Sequence, residues 1–389
     1  MRKGWEYKKL GEVGQIVTGS TPSTKDESNY SPREYCFVKP SDLPSQGIAD
    51  IEETEYFVSQ VGLSKSRVLP AGSVLVSCIG SIGKIGILTK EACSNQQINA
   101  IIPQDETDSR FIAYSLYAQR FVLESIANAP VVPIINKTDF SKIRIGIPPK
   151  STQLAIVSEL DKINELIRLK KEQLKDFGNL AQSLFYEMFG DPVENEKGWE
   201  VKKLGDICAD ITDGDHMPPP KSEFGIPFIT ISDIDKDTRC LNFENTFYVP
   251  EDYYNNLKEN RKPQKGDLLY TVTGSYGIPV IVKTDKKFCF QRHIALLRPN
   301  KEILSTIFLC YWVLSDGVKF MADKVATGIA QKTVGLNSIR KFSCILPPLP
   351  LQHLFAQRIE QIEREKSEVQ KSIQDLETLL ASRMQYWFE

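Results

Sequence analysis

The sequence predicts an α+β protein in which two similar globular domains are each followed by a long helix, and the two helices pair as an antiparallel coiled coil. Three observations predict this fold: an internal repeat, short β-branched runs cut by glycine and proline, and two heptad patterns. The chain has 389 residues and a net charge of −2. That length suits two or three domains.

The internal repeat keeps its order along the whole chain, which indicates a tandem duplication of a unit of about 195 residues with pseudo-two-fold symmetry. The opening Gly4-Trp5-Glu6-Tyr7-Lys8-Lys9-Leu10-Gly11 returns as Gly198-Trp199-Glu200-Val201-Lys202-Lys203-Leu204-Gly205. Further matches are Phe37–Leu43 with Phe228–Ile234, Gly80-Ser81-Ile82-Gly83 with Gly274-Ser275-Tyr276-Gly277, and Ile147-Pro148-Pro149 plus Gln153 with Leu346-Pro347-Pro348 plus Gln352.

The repeat divides the chain into five segments. We call the two globular domains the first and second heads. The segments are the first head (1–150), a first long helix (151–190), a linker (191–197), the second head (198–349) and a second long helix (350–389).

Each head combines predicted strands with predicted helices. Strands are indicated at Ser73–Ser77, Ile85–Leu88, Asp267–Val272 and Val280–Val282, where β-branched runs are bounded by turn residues. Helices are indicated at Arg110–Ser125 and Thr306–Asp323.

The long helices begin after a double proline, which cannot lie inside a helix. Thr152 is the predicted N-cap of the first. Apolar residues then recur at alternating steps of 4 and 3 at matching positions in both copies. The predicted core of the helix pair is Leu160, Ile163, Ile167, Leu174, Phe177, Ile359, Ile362, Val369, Ile373 and Leu376.

A helix of about 37 residues is about 55 Å long, and its apolar stripe needs a partner. The duplicate helix is the nearest one. Lys170 and Lys366 interrupt the two seams near their middles, where a polar residue sets register. We therefore expect antiparallel pairing with a head at each end. Parallel packing, or docking of each helix on its own head, are the alternatives.

Composition excludes several classes of function. No apolar run reaches the roughly 20 residues of a membrane span, and the charged N-terminus lacks a signal peptide, so a cytoplasmic protein is expected. The eight cysteines are scattered singly, as small buried hydrophobes are, and no metal or cofactor motif occurs. Gly80–Ile85 hints at a phosphate loop, but Cys78 and Ile85 stand where that motif needs glycine and Ser or Thr.

Two heads joined by a stiff spacer suit a protein that reads two separated DNA half-sites. DNA rises about 3.4 Å per base pair, so a rod of this length sets the heads roughly one helical turn apart once the overlap of the rod with the heads is allowed for. Because the heads differ in sequence, the half-sites should differ. Both heads are close to neutral and the helix segments are acidic, so charge alone neither establishes nor excludes DNA binding.

These motifs resemble the target recognition domains of type I restriction–modification specificity subunits. The resemblance rests on the Gly-Trp-x-x-Lys-Lys-Leu-Gly openings, Gly19-Ser20-Thr21-Pro22-Ser23, Pro40-Ser41-Asp42-Leu43, the Gly-Ser-x-Gly loops and the Pro-Pro-x-x-x-Gln helix starts, and it covers nearly the whole chain. It implies a non-catalytic subunit that binds double-stranded DNA with a bipartite target. The implied partners are two DNA methyltransferase (modification) subunits, which methylate adenine, and ATP-dependent restriction subunits.

Candidate DNA contacts are polar side chains in glycine-rich turns, at neighbouring strand ends, and in the polar, flexible loops predicted before each final strand, Asn136-Lys137-Thr138 and Gln331-Lys332-Thr333. Bidentate Arg, Lys, Asn and Gln read bases, and hydroxyls hold phosphates. A plain β-turn or a solvated strand end is the competing interpretation at each position. The candidates are Ser20, Thr21, Lys25, Ser81, Lys84, Asn95, Gln96, Gln97 and Lys137 in the first head, and His216, Lys221, Ser275, Tyr276, Gln291, Arg292, His293, Gln331 and Lys332 in the second.

Two other functions stay open on sequence alone: a coiled-coil scaffold without a DNA role, and a self-contained DNA nuclease or methyltransferase. Asp191 with Glu200-x-Lys202 imitates a nuclease pattern, but Glu6-x-Lys8 repeats it without an upstream acid. No Asn-Pro-Pro-aromatic or Asp-Pro-Pro-aromatic methyltransferase signature occurs. With three unpaired histidines, no acid–base or nucleophilic constellation is evident.

Overall fold

The computed structural model describes residue 2 and residues 4–127, 132–215, 219–328 and 331–389. The chain forms two compact units, Met1–Lys171 with Lys371–Glu389, and Glu172–Gln370. Each unit therefore contains one head, part of the first long helix and part of the second. This division differs from the linear one drawn from the repeat, because the ends of both helices pack into each unit.

The first head alternates short strands and helices, and the first long helix follows it. Its elements are β1 (Glu6–Lys9), α1 (Leu10–Val13), β2 (Gly14–Thr18), β3 (Tyr35–Val38), β4 (Ile48–Ile51), β5 (Phe57–Val58), α2 (Gln60–Ser64), β6 (Val74–Ser77), β7 (Ile85–Leu88), β8 (Cys93–Ser94), β9 (Ile98–Pro103), α3 (Ser109–Ala118), α4 (Arg120–Ile126), α5 (Lys137–Lys142), β10 (Arg144–Ile147) and the long helix α6 (Lys150–Phe189).

The second head repeats this order with few changes. Its elements are β11 (Glu200–Lys203), α7 (Leu204–Ile207), β12 (Cys208–Asp213), β13 (Ile226–Ile229), β14 (Phe247–Val249), α8 (Glu251–Asn255), β15 (Leu268–Thr271), β16 (Pro279–Ile281), β17 (Cys289–Phe290), β18 (Ile294–Pro299), α9 (Thr306–Leu314), α10 (Asp316–Val325), α11 (Leu336–Arg340), β19 (Ser343–Leu346) and the long helix α12 (Leu349–Phe388).

The sheets of the two heads share their strand order, except that the main sheet of the first head has a fifth strand, β4, paired parallel with β7. The main sheet has the order β2-β9-β6-β7-β4 in the first head and β12-β18-β15-β16 in the second. A smaller sheet, β5-β3-β8 or β14-β13-β17, lies in each head, and an antiparallel pair, β1-β10 or β11-β19, joins the beginning of the head to its last strand. Strands β6 and β15 are wholly buried, as their β-branched and leucine-rich runs predict. The α+β prediction is confirmed.

The predicted single helices of the heads are each two helices. In place of Arg110–Ser125 the first head has α3 and α4, separated at Gln119, and in place of Thr306–Asp323 the second has α9 and α10, separated at Ser315. The backbone of Ser315 is extended, and its buried hydroxyl donates to the carbonyl of Trp312, 2.7 Å away. A local side-chain bond of this kind competes with the helix, which explains the break.

The prediction that Thr152 caps the first long helix is wrong. The carbonyl of Pro149 accepts hydrogen bonds from the backbone nitrogens of Thr152 (2.8 Å) and Gln153 (3.1 Å), so α6 begins at Lys150 and Thr152 lies in its first turn. Proline at the cap position removes no hydrogen bond of the helix, because a backbone N–H at that position has no intrahelical acceptor.

The helices pair antiparallel, as contacts within each unit show. In the first unit, Glu159 of α6 pairs with Arg383 of α12, and Lys171 of α6 pairs with Glu377 of α12 at 2.9 Å. Moving forward along α6 therefore moves backward along α12. In the second unit, Phe189 near the end of α6 packs on Phe355 near the start of α12, with ring centroids 5.3 Å apart.

The heptad pattern locates most, but not all, of the buried helix residues. Leu160, Ile163, Ile167, Ile359, Ile362, Val369 and Ile373 are buried, whereas Leu174, Phe177 and Leu376 are half-buried. Phe185 and Phe189 each follow a seam position by one residue, and both are fully buried against Phe308 of the second head. The last turns of α6 thus bury a second face, which a seam of period 3.5 does not predict.

Within the described part of the chain, no helix combines the length and apolar character needed to cross a membrane.

Candidate nucleic-acid interface

Each head carries a tight three-residue turn between two strands, residues 95–97 in the first and 291–293 in the second. The two turns have the same backbone hydrogen bonds, which makes them structurally equivalent. In the first head these are Asn95 N–H to Val38 O (3.1 Å), Cys78 N–H to Gln97 O (2.8 Å) and Ile98 N–H to Asn95 O (3.2 Å); in the second they are Gln291 N–H to Ile229 O (3.0 Å), Val272 N–H to His293 O (2.9 Å) and Ile294 N–H to Gln291 O (3.1 Å).

A second loop, the glycine loop, occupies residues 80–84 and 274–278. A buried hydroxyl at the end of the preceding strand shapes it in both heads. Ser77 donates to the carbonyl of Ser81 and accepts from the backbone nitrogen of Lys84 (2.9 Å). Thr271 likewise donates to the carbonyl of Ser275 (2.8 Å) and accepts from the nitrogen of Ile278 (3.0 Å).

Sequence reasoning missed these two hydroxyls. The available signal was a hydroxyl residue at the same repeat position, four residues before the serine of each Gly-Ser-x-Gly loop. Because both residues are fully buried, they hold the loop rather than contact a ligand.

A third segment, residues 132–136 and 331–335, is bound to the glycine loop. Gly80 N–H donates to Pro133 O at 3.0 Å, and Gly274 N–H donates to Lys332 O at 2.9 Å. Cys78 and Val272 join this segment to the three-residue turn, because the carbonyl of each accepts from the segment (Ile135 or Val334 N–H) and its N–H donates to the turn. Three segments that are far apart in sequence therefore meet at one edge of each main sheet.

A fourth segment ends the first strand of the main sheet at Gly19 and Gly214. A Cβ at Gly19 would lie 2.1 Å from the carbonyl oxygen of Asn95, and one at Gly214 would lie 1.9 Å from that of Phe290. Both positions therefore require glycine for close backbone approach. The approach places Thr21 within reach of the first head's three-residue turn, where its hydroxyl donates to Gln96 Oε1 at 2.6 Å.

The first head brings most of its sequence-predicted candidates to this edge. Gln96 and Ser81 are exposed, Gln97 is half-buried, and Asn95 is buried with its side chain bonded to Gln97. Lys84 is half-buried and its Nζ donates to the carbonyl of Pro40, 3.2 Å away. Ser20, half-buried, donates its backbone N–H to Ser94 O at 2.8 Å, and Lys25 is exposed.

The sequence suggested that Lys137 lies in a flexible loop, but the structure places it in a helix. Asn136 caps α5 by accepting from the backbone nitrogen of Asp139 at 2.9 Å, and Lys137 is the first residue of that helix. An asparagine cap satisfies a free N–H of the first turn, so the polar run is a helix start. Pro133 and Lys332 accept the equivalent hydrogen bonds from the two glycine loops. The structural equivalent of Lys332 in the first head is therefore Pro133, not Lys137.

In the second head, Arg292, Ser275, Gln331, Lys332 and Lys221 are exposed, and Gln291 and His293 are half-buried. His216 lies outside the described residues. Tyr276 is half-buried against the core of its head, and its hydroxyl donates to Asp323 of α10 at 2.5 Å. Tyr276 is therefore engaged by its own head.

The second head places acidic groups where the first has hydroxyls. Asp213 and Asp215 flank Gly214. The guanidinium of Arg261 lies near both carboxylates, with Nη2 3.5 Å from Asp213 Oδ1 and Nη1 3.7 Å from Asp215 Oδ1. The hydroxyl of Tyr253 donates to Asp215 at 3.1 Å. Burial, together with the Asp215 carboxylate, raises the pKa of Tyr253. The two heads thus present different chemistry on equivalent backbones.

Among the described residues, no group of three or more His, Cys, Asp or Glu side chains could hold a metal ion. The cysteines are buried except Cys240, which is exposed. Burial raises the pKa of Cys78 to about 12, so its side chain stays a thiol at neutral pH.

Two duplicated loop clusters on an α+β fold with antiparallel long helices form the arrangement expected of a protein that recognises two DNA half-sites. The sequence model of the type I restriction modification DNA specificity domain matches residues 2–176 and again residues 196–378. The chain belongs to this family. The resemblance seen in the sequence is confirmed.

Similar proteins support this assignment. The type I restriction enzyme MjaIX specificity subunit of Methanocaldococcus jannaschii is 24% identical over 97% of this chain and 91% of its own length. The HindI specificity subunit of Haemophilus influenzae is 30% identical over 52% of this chain and 40% of its own length.

Two solved structures share the fold. A chain from a study of complex assembly and conformational transition of the type I R-M system has a TM-score of 0.65 at 18% identity, covering 100% of this chain and 98% of its own. The S subunit of a type I system from M. genitalium has a TM-score of 0.54 at 13% identity, covering 98% of this chain and 95% of its own.

The chain is accordingly a type I specificity subunit with two DNA target recognition domains. Neither the scaffold nor the self-contained nuclease or methyltransferase finds support in these comparisons.

Proposed function

We propose that each head reads one half of a bipartite DNA target and that the paired long helices fix the unspecified spacer between the halves. The observation that carries this proposal is the repeated loop cluster. Equivalent backbone hydrogen bonds hold the three-residue turn and the glycine loop in both heads, while the side chains they present differ. Such a design suits one scaffold reading two different sequences.

The contacts would come from candidate side chains that are exposed or half-buried in each head. Hydroxyls, backbone N–H groups and lysines hold phosphates, and amide or guanidinium side chains read base edges. We assign these roles to Ser20, Thr21, Lys25, Ser81, Lys84, Gln96 and Gln97 in the first head, and to Lys221, Ser275, Gln291, Arg292, His293, Gln331 and Lys332 in the second.

The chain would be non-catalytic and would act in the cytoplasm within a larger assembly. Its partners would be two DNA methyltransferase (modification) subunits, docked on the helix pair and adjoining head surfaces, and ATP-dependent restriction subunits. The two-fold repeat supports two copies of the modification subunit, because a duplicated surface offers two equivalent docking sites.

A head exchange tests this function. Residues 1–150 are replaced by the matching head of another family member, and the complex with modification subunits is used to methylate DNA, whose modified sites are then sequenced. One half-site should change while the other half-site and the spacer are kept. Methylation with both half-sites unchanged would contradict the proposal.

A further inference from the structure

The central residue of the three-residue turn differs from its two neighbours. In the first head, Asn95 is 7% exposed and bonds within the turn, whereas Gln96 is exposed. In the second head, Gln291 and His293 are half-buried and Arg292 is exposed. One position on a shared backbone therefore presents an amide in one head and a guanidinium in the other.

The amide of Gln96 is oriented by its neighbour. Thr21 donates its hydroxyl to Gln96 Oε1 at 2.6 Å, which leaves one lone pair of that oxygen and both protons of the Nε2 group for a ligand. An acceptor beside a donor is the pattern that pairs with N6 and N7 of adenine in the major groove.

The guanidinium of Arg292 is oriented in a comparable way. Its Nε lies 3.4 Å from His293 Nε2. Burial, and to a smaller extent Arg292 itself, lowers the pKa of His293, so its ring is neutral at neutral pH and can accept this bond. Within the described part of the chain, the Nη atoms of Arg292 have no protein acceptor. Two parallel donors match O6 and N7 of guanine.

We infer that the central residue of this turn is a base-reading position of each head, with Gln96 selecting an adenine and Arg292 selecting a guanine. The inference rests on the proposed function, and names the chemistry by which each half-site is read. It also assigns Asn95, whose side chain bonds to Gln97, to shaping the turn of the first head.

The test uses the subunit assembled with its modification subunits and a DNA library in which both half-sites are randomised. Gln96→Arg should shift the preferred base at one position of the first head's half-site from adenine to guanine. Arg292→Gln should make the reverse shift in the other half-site. Each shift should exceed roughly ten-fold in relative methylation, the scale of one bidentate base contact.

Matched controls carry the same charge change elsewhere on each head. Gln15→Arg changes an exposed glutamine of β2, and Lys301→Gln removes an exposed charge of the second head. Both controls should leave the two half-site sequences unchanged.

Unchanged base preference in both turn variants would overturn the inference. So would a uniform loss of methylation over all sequences with a reduced salt dependence, since that result identifies a phosphate contact. If the unaltered complex shows no bipartite target at all, the proposed function fails instead, and the two failures are thus distinguishable.

Discussion

At the scale of single residues, the loop clusters depend on a few buried polar groups. Ser77 and Thr271 each satisfy a carbonyl and an amide of the glycine loop. A buried hydroxyl with both roles filled contributes more than an exposed one, because its removal leaves two backbone groups without partners.

Replacing Thr271 by Val keeps the side chain's shape and removes its hydroxyl. The carbonyl of Ser275 and the amide of Ile278 then lose their partner, and the variant should unfold about 1–2 kcal/mol more easily. Denaturant unfolding followed by circular dichroism measures this loss. The control Ser275→Ala removes an exposed hydroxyl of the same loop and should change stability little. Equal effects from both variants would rule out the role given to Thr271.

At the scale of elements, one glutamine fastens each long helix to its head. Gln153 accepts from Asp108 N–H (2.9 Å) and donates to the carbonyls of Pro148 (2.9 Å) and Glu106 (3.3 Å). Gln352 does the same with Ser305, Pro347 and Ile303. The two glutamines occupy the same position of the internal repeat, but only the structure shows that each one bonds the helix to the head.

Substituting Gln352 by Leu should destabilise the second unit by about 2 kcal/mol or more, because three backbone groups lose partners at a buried site. Thermal unfolding is the measurement. Gln361→Ala, an exposed glutamine on the same helix, serves as the control and should unfold like the unaltered protein. A Gln352→Leu variant of unchanged stability would show that the bonds contribute nothing net.

The end of α12 is fastened to α6 by Glu159, which accepts from Arg383 and from Trp387 Nε1 at 2.9 Å. The hydrogen bond from Arg383 is the main cause that lowers the pKa of Glu159 below its usual 4.5. A lowered pKa means that the stabilisation is present above about pH 4.5 and is lost as the pH falls through the lower folded value.

Glu159→Gln should therefore lower the unfolding free energy at pH 7 by on the order of 1 kcal/mol, and the difference should shrink in strong acid. Glu165→Gln is the matched control, since the exposed Glu165 pairs with the exposed Arg168 one turn along the same helix and should matter little. The pH dependence of the midpoint of urea unfolding distinguishes them. A difference that persists unchanged at low pH would exclude the ionic contribution.

The helix pattern shows how far periodicity predicts an element. The 4–3 spacing locates both helices and most of their buried residues, because each seam is a local property of the chain. It does not locate Phe185 and Phe189, which pack on Phe308 of the second head. That second buried face depends on contacts between residues more than a hundred positions apart.

At the scale of the whole molecule, charge is the property that bears on function. The net charge of −2 is low for a protein that binds DNA, and neutralised phosphates supply most non-specific affinity. The modification subunits are therefore expected to supply many of the contacts with the DNA phosphates.

The isolated chain should bind duplex DNA weakly and with a shallow dependence of affinity on salt, whereas the complex with modification subunits should bind tightly with a steep one. Fluorescence anisotropy at several salt concentrations measures both slopes. Scrambled DNA of equal length provides the control for specific binding. A steep slope for the chain alone would contradict the view that its partners carry the phosphate contacts.

The sequence by itself determined the duplication, the mixed α+β heads, the two long helices and the polar loops that form each cluster. These features follow from repeats, periodicity and turn residues, which are local. Only the tertiary structure decided that Lys137 begins a helix, that Tyr276 is held by Asp323, and that Gln96 and Arg292 are the exposed centres of equivalent turns. Exposure and pairing depend on which distant strands meet, and no local pattern of residues specifies that.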